Sequence, residues 1–203
     1  MSGFRQNVAV TRQRRPRRRA GRATPNRTRK VYRKLMSVAA SAIALSGCGS
    51  DSTTAPEPRA DLNACSNLQV PANSRLVAHV FANGVQIYQW TDTSWVLLSP
   101  SASLTSDVAG TASVGIHYAG PTWEATRGGK VTGVVQDRCT PNANAIPWLI
   151  LKATWDGQPG AFAGATHIQR VSTTGGLAPS VTGTKGQIVS VAYRAEYYFY
   201  RAP

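Results

Sequence analysis

The stretch RLVAHVFA (75–82), Asn83-Gly84, VQIYQW (85–90) decides the fold. On both sides of the Asn-Gly pair apolar and polar residues alternate, the pattern of a strand with one face buried. Asn-Gly between two such runs is the strongest short-range signal for a tight hairpin, so two strands joined at 83–84 are expected. Outward from there, SWVLLS (94–99), SVGIHYA (113–119), KVTGVVQ (130–136), AIPWLILKATW (145–155), THIQRVS (166–172), QIVSVAY (187–193) and EYYFYR (196–201) repeat the pattern between turn residues. Nine such segments in about 130 residues are spaced like those of an antiparallel sandwich or barrel. Ile146 to Leu151 carries no charge, as expected of a strand covered on both sides. No repeat of fixed period and no helix longer than a turn or two can be read. The expected fold is all-β: a single antiparallel β-sandwich or closed β-barrel after a signal peptide and flexible tether.

Charge divides the 203-residue chain. Its net charge is +14, yet residues 1–48 hold 13 Lys and Arg and no acid. The remainder sets 10 Lys and Arg against all 9 Asp and Glu, so the folded part is nearly neutral. A neutral domain lacks the phosphate-neutralising surface that nucleic-acid binding needs, which excludes that class of partner.

The leader has the layout of an export signal. Lys30, Arg33 and Lys34 precede a run of small and apolar residues from Leu35 to Gly47, too short to span a bilayer permanently. Its end, Leu45-Ser46-Gly47-Cys48, resembles the lipobox of bacterial lipoproteins. That resemblance implies cleavage before Cys48, a diacylglyceryl group on its sulfur, and anchorage to the membrane. Gly49 follows where lipoproteins retained at the inner membrane often carry Asp, so a Gram-negative cell would send the protein to its outer membrane. Residues 1–30, with RRPRRR at 14–19, form a basic N-terminal extension without apolar periodicity. They read as upstream of the true translation start, with Val31 as that start. The expected organisation is therefore a basic extension (1–30), a lipoprotein signal peptide (31–47), a lipidated Cys and flexible linker (48–64), and a β-rich domain (65–203). With Cys48 committed to lipid, Cys65 and Cys139 remain as an even pair in an oxidising compartment, and a disulfide between them is expected.

VQIYQW with SWVLLSP, then GIHYAGPTWE (115–124), IPWLILKA (146–153), IQRVSTTGGLAP (168–179) and AEYYFYR (195–201) resemble domain-of-unknown-function family 3455 over roughly residues 66–201. The resemblance implies a compact, β-rich, commonly exported domain. It brings no activity and no catalytic residues.

The richest candidate site is GIHYAGPTWE. Alternation sets Tyr118 and His117 on opposite faces, and Gly120-Pro121 turns the chain to present Trp123 and Glu124. His117, Tyr118, Trp123 and Glu124 near one turn suit a ligand pocket: a ring stacks on a sugar or other flat molecule while polar groups orient it. The opposing interpretation packs Trp123 in the core and spends His117 and Glu124 on the loop. Metal binding would need His79, His117 and His167 to converge with Glu124, but no HxH or HExxH spacing assembles them, so neither metal nor cofactor is expected. Nucleophilic hydrolysis lacks a GxSxG elbow, and Arg170 and Arg201 read as rim charges or partners of acids. The leading expectation is a non-enzymatic binding or structural module at the cell envelope, taking a carbohydrate or small molecule. The alternative is a small envelope hydrolase using Glu124 and His117 as acid and base.

Overall fold

The computed structural model describes residues 57–203; the leader, Cys48 and the linker as far as residue 56 lie outside them. Eight antiparallel strands close into a barrel in chain order: β1 (Arg75–Trp90), β2 (Trp95–Thr105), β3 (Ser113–Tyr118), β4 (Thr122–Ala125), β5 (Lys130–Cys139), β6 (Trp148–Trp155), β7 (His167–Gly175) and β8 (Ile188–Arg201). β8 returns to β1, pairing Arg75 with Arg201 at one end and Gln89 with Ile188 at the other. The barrel alternative is thus the one adopted, although β3 and β4 are short, so residues 95–101 of β2 and 133–139 of β5 have no strand partner on the side facing them.

The Asn-Gly hairpin does not form. β1 runs through Asn83, which pairs with Ser103 on one side and Arg194 on the other. Gly84 is there for close approach: a Cβ at that position would collide with the Ser101 carbonyl oxygen and with Ala102. The chain turns instead at residues 91–94, where Thr91 N–H donates to the Ser94 carbonyl and Asp92 takes a φ of 94°. QIVSVAY and EYYFYR likewise merge into β8, and the short β4 is a strand the periodicity did not single out.

Residues 57–74 lie along the outer face of β6, β7 and β8. Leu62, Cys65 and Leu68 bury themselves against Ile150, Val171, Tyr198 and Tyr200. The Gln169 side chain donates to the Leu68 carbonyl at 2.7 Å, and the Cys65–Cys139 disulfide fastens the segment to the end of β5. The ordered layer therefore begins before Cys65, since Leu62 is already buried in it. β6 is covered on both faces, as its uncharged run demanded, with Ile150 outside and Leu151 inside. A cross-link closing a separation of 74 residues stabilises by about 4 kcal/mol in the chain-entropy account.

Candidate functional site

An eight-stranded barrel has an interior just wide enough to be filled by side chains or to hold one small ligand. Here one end is filled. Phe162, from the connection between β6 and β7, stacks on Phe199 with ring centroids 4.3 Å apart and closes the lumen. Arg201 holds that connection, donating to the Ala163 and Gly164 carbonyls at 2.9 and 3.2 Å. Further in, Trp123 meets Phe199 and Tyr197 edge-on at 6.0 and 5.4 Å, and His117 lies flat on Trp123 at 4.3 Å. The register makes this stack, because His117 and Trp123 are direct partners across β3 and β4. The indole also needs room across the lumen, which Gly133 gives: a Cβ there would stand 3.0 Å from both Trp123 and Leu151.

Beyond Trp123 and Tyr197, toward the end formed by connections 91–94, 119–121, 140–147 and 176–187, Tyr193 and Ile146 are still buried, but side chains no longer fill the whole interior. A cavity of about 230 Å³ remains. Its floor is His117, Trp123 and Tyr197; its walls include Pro100, Leu149 and Leu151. Leu97 and Val135, both exposed, stand at its mouth. Two polar residues complete it. Gln86 on β1 faces Pro100, and Arg170 on β7 lies in register between Leu149 and Tyr197.

The polar atoms of this site are poorly satisfied. Gln86, Trp123 and Tyr197 are each 1 % exposed, and Gln86 Nε2, Trp123 Nε1 and the Tyr197 hydroxyl have no hydrogen-bond partner among the described residues. The Tyr193 hydroxyl, nearer the open end on β8, also has none among them. A buried donor left unpaired costs about 1–3 kcal/mol, so such a cluster in a native interior calls for an explanation. His117 is 3 % exposed, and its Nδ1–H donates to the Thr122 carbonyl at 2.8 Å. Burial drives its pKa down to about 4, against the pull of that carbonyl and with a smaller push from the Arg170 charge. His117 is therefore a neutral ring at physiological pH, with Nε2 left as an acceptor. Burial likewise raises Tyr193 and Tyr197, which stay protonated.

The four residues singled out in GIHYAGPTWE divide between the two faces of the wall. His117 and Trp123 point into the lumen, whereas Tyr118 and Glu124 face outward. There the Tyr118 hydroxyl donates to Glu124 at 2.8 Å, and Lys130 Nζ approaches the same carboxylate oxygen at 3.4 Å. The Glu124 carboxylate raises both the Tyr118 and the Lys130 pKa. The four do not line one pocket, and Glu124 and His117 do not share a cleft, because consecutive strand residues alternate across the sheet. The histidines stay apart. His79 is satisfied on the outer wall by Glu196 at 2.8 Å and stacks on Tyr198, and His167 contacts the Thr166 hydroxyl. Among the described residues no three His, Cys, Asp or Glu form a group able to hold a metal. In EYYFYR, Tyr197 reaches the lumen while Tyr198 and Tyr200 are covered by the N-terminal segment.

Arg170 corrects the sequence reading. It is neither a rim charge nor the partner of an acid, because it points inward and spends Nε and Nη2 on the Pro147 carbonyl at 3.1 and 2.8 Å. Gln86 was passed over altogether. Both could have been found by period two alone: Arg170 shares its face with Ile168, and Gln86 shares its face with Val80 and Ala82.

These features define a small closed β-barrel, plugged at one end by aromatic rings and open at the other into a partly polar cavity. Residues 71–201 match the family described as a protein of unknown function, DUF3455, and the chain belongs to that family. No curated protein and no solved structure matches.

The neutral state of His117 has a consequence for stability. Its pKa is about 4 when folded and 6.5 in the unfolded chain, so on acidification the unfolded state takes up the proton first. Stability should fall as the pH drops from about 6.5 to about 4, by as much as ~3 kcal/mol. Urea unfolding of the wild type and of His117→Phe across that range measures it. The variant should lack this part of the slope; parallel profiles would contradict a neutral buried ring.

Proposed function

We propose that the domain is a binding module of the cell envelope whose barrel takes a small, largely apolar molecule into its open end. The observation that carries this reading is the cavity itself: apolar walls converging on Gln86 Nε2, Trp123 Nε1 and the Tyr197 hydroxyl, which find no partner among the described residues. Apolar lining with a few convergent polar groups is the usual composition of a small-molecule site, and about 230 Å³, a little below the usual range of about 300–1,000 Å³, limits the occupant to a very small molecule. A carbohydrate suits it less well, since its hydroxyls would meet the mostly apolar walls. The Cys65–Cys139 bridge and the lipobox-like sequence at Cys48 support display outside the cytoplasm on a lipid anchor, at the outer membrane where the cell has one.

Tryptophan fluorescence of the full chain titrated with 2-naphthamide, a neutral flat probe, tests the cavity. Saturable binding is expected with a Kd of roughly 10–100 µM. Leu149→Trp, which fills the lumen, should weaken it more than about tenfold, while Glu124→Gln on the outer wall should leave it unchanged. No saturable binding, or loss in Glu124→Gln, would contradict the reading. For the anchor, the intact mass of detergent-extracted protein should correspond to a chain beginning at a diacylated Cys48; an unacylated chain with its leader would overturn it.

A further inference from the structure

We propose that the molecule taken into the lumen carries a carboxylate, and that Arg170 is the residue that receives it. This rests on the lumen being a binding site and adds the chemical class of its ligand. Cations that face a barrel interior are costly unless paired. Among the described residues no carboxylate pairs with Arg170, and the lining of the cavity includes Arg170 and Arg138 but no acid.

The geometry around Arg170 fits a receiving group. Its two bonds to the Pro147 carbonyl fix the guanidinium plane through Nε and Nη2, and Nη1 is not used in them. A planar, held guanidinium is the side chain best shaped to meet a carboxylate. Around it Gln86 Nε2 and Trp123 Nε1 are donors with no partner among the described residues, and the Tyr197 and Tyr193 hydroxyls, which can donate as well as accept, have none either. An acceptor-rich ligand group would satisfy several at once. The Arg170 charge lowers the pKa values of Tyr88, His117, Tyr193 and Tyr197, so its field reaches all four interior side chains. Burial nevertheless keeps the tyrosines protonated, and none of them supplies the missing negative charge. One inward cation matches a monoanion. The apolar remainder of the cavity, with Leu149, Leu151 and Val135, calls for a short aliphatic or flat aromatic body. A small organic monocarboxylic acid satisfies both demands. Arg138 is exposed at the mouth, where it would guide the anion inward without holding it.

Calorimetric titration of the full chain with 2-naphthoate and 2-naphthamide at neutral pH tests the assignment. The acid should bind at least about tenfold more tightly than the amide. Arg170→Gln keeps a donor for the Pro147 carbonyl and removes the charge. In that variant acid and amide should bind within about twofold of each other, whereas Arg138→Gln should keep most of the preference. The wild type provides a check that needs no variant. A pairing inside the lumen is weakly screened, so the preference should persist from about 0.05 to about 0.5 M NaCl, whereas attraction at the mouth would fade. Equal binding of acid and amide, a preference surviving in Arg170→Gln, or one lost with salt would overturn the assignment while leaving the cavity a binding site. If neither probe binds the wild type, the lumen is not a site and the assignment falls with it.

Discussion

The stacking of His117 on Trp123, whose indole meets the stacked Phe199–Phe162 pair edge-on, determines how far the barrel is filled. Eight strands enclose a fixed width, and a column of rings occupying it must be matched by small residues on the facing strands. Ala82, Ala102, Ala125, Ala153 and Ala195 make that match, with Gly133 giving way to the indole. Beyond the rings Tyr193 and Ile146 stay buried, and beside them the walls enclose space. Cavity and packed core are therefore two consequences of one arrangement. Moving Trp123 would alter the floor of the cavity and the packing of the closed end together.

The outer surface obeys a different constraint. Strands β6 to β8 are apolar on both faces, so the barrel alone would expose Ile150, Val171, Tyr198 and Tyr200. The N-terminal segment covers them, and its disulfide to Cys139 fixes it beside the β5–β6 connection, whose Pro147 carbonyl anchors Arg170. The covering layer and the cavity thus meet at one connection. An oxidised Cys65–Cys139 pair does more than staple the chain: it borders the loop that orients the inward-facing cation.

Much of this architecture was legible from alternation and turn residues, because period two runs through most of the long strands and breaks only at register shifts such as those at Ile87/Tyr88 and Val135/Asp137. The errors have physical causes. Asn83-Gly84 looked like a turn because the pair is suited to one; its glycine serves the close passage of β2, which depends on a residue far along the chain. β4 is four residues long, too short for periodicity to register. The division of His117 and Trp123 from Tyr118 and Glu124 follows from the same alternation, but only once Thr122–Ala125 is known to be a strand paired to β3. Arg170 was read by its charge rather than by its position, although the face it shares with Ile168 pointed inward. The cavity could not be read at all, since Gln86, Trp123 and Arg170 converge through barrel closure alone.

The most direct test is crystallographic. Crystals of the protein soaked with 4-bromobenzoate, with data collected at the bromine edge, would locate the halogen by its anomalous signal. The account predicts a bromine peak inside the open end of the lumen, with the carboxylate turned to Arg170 and the ring beside Trp123. A lumen occupied by protein side chains, with bromine found on the outer wall or nowhere, would contradict it.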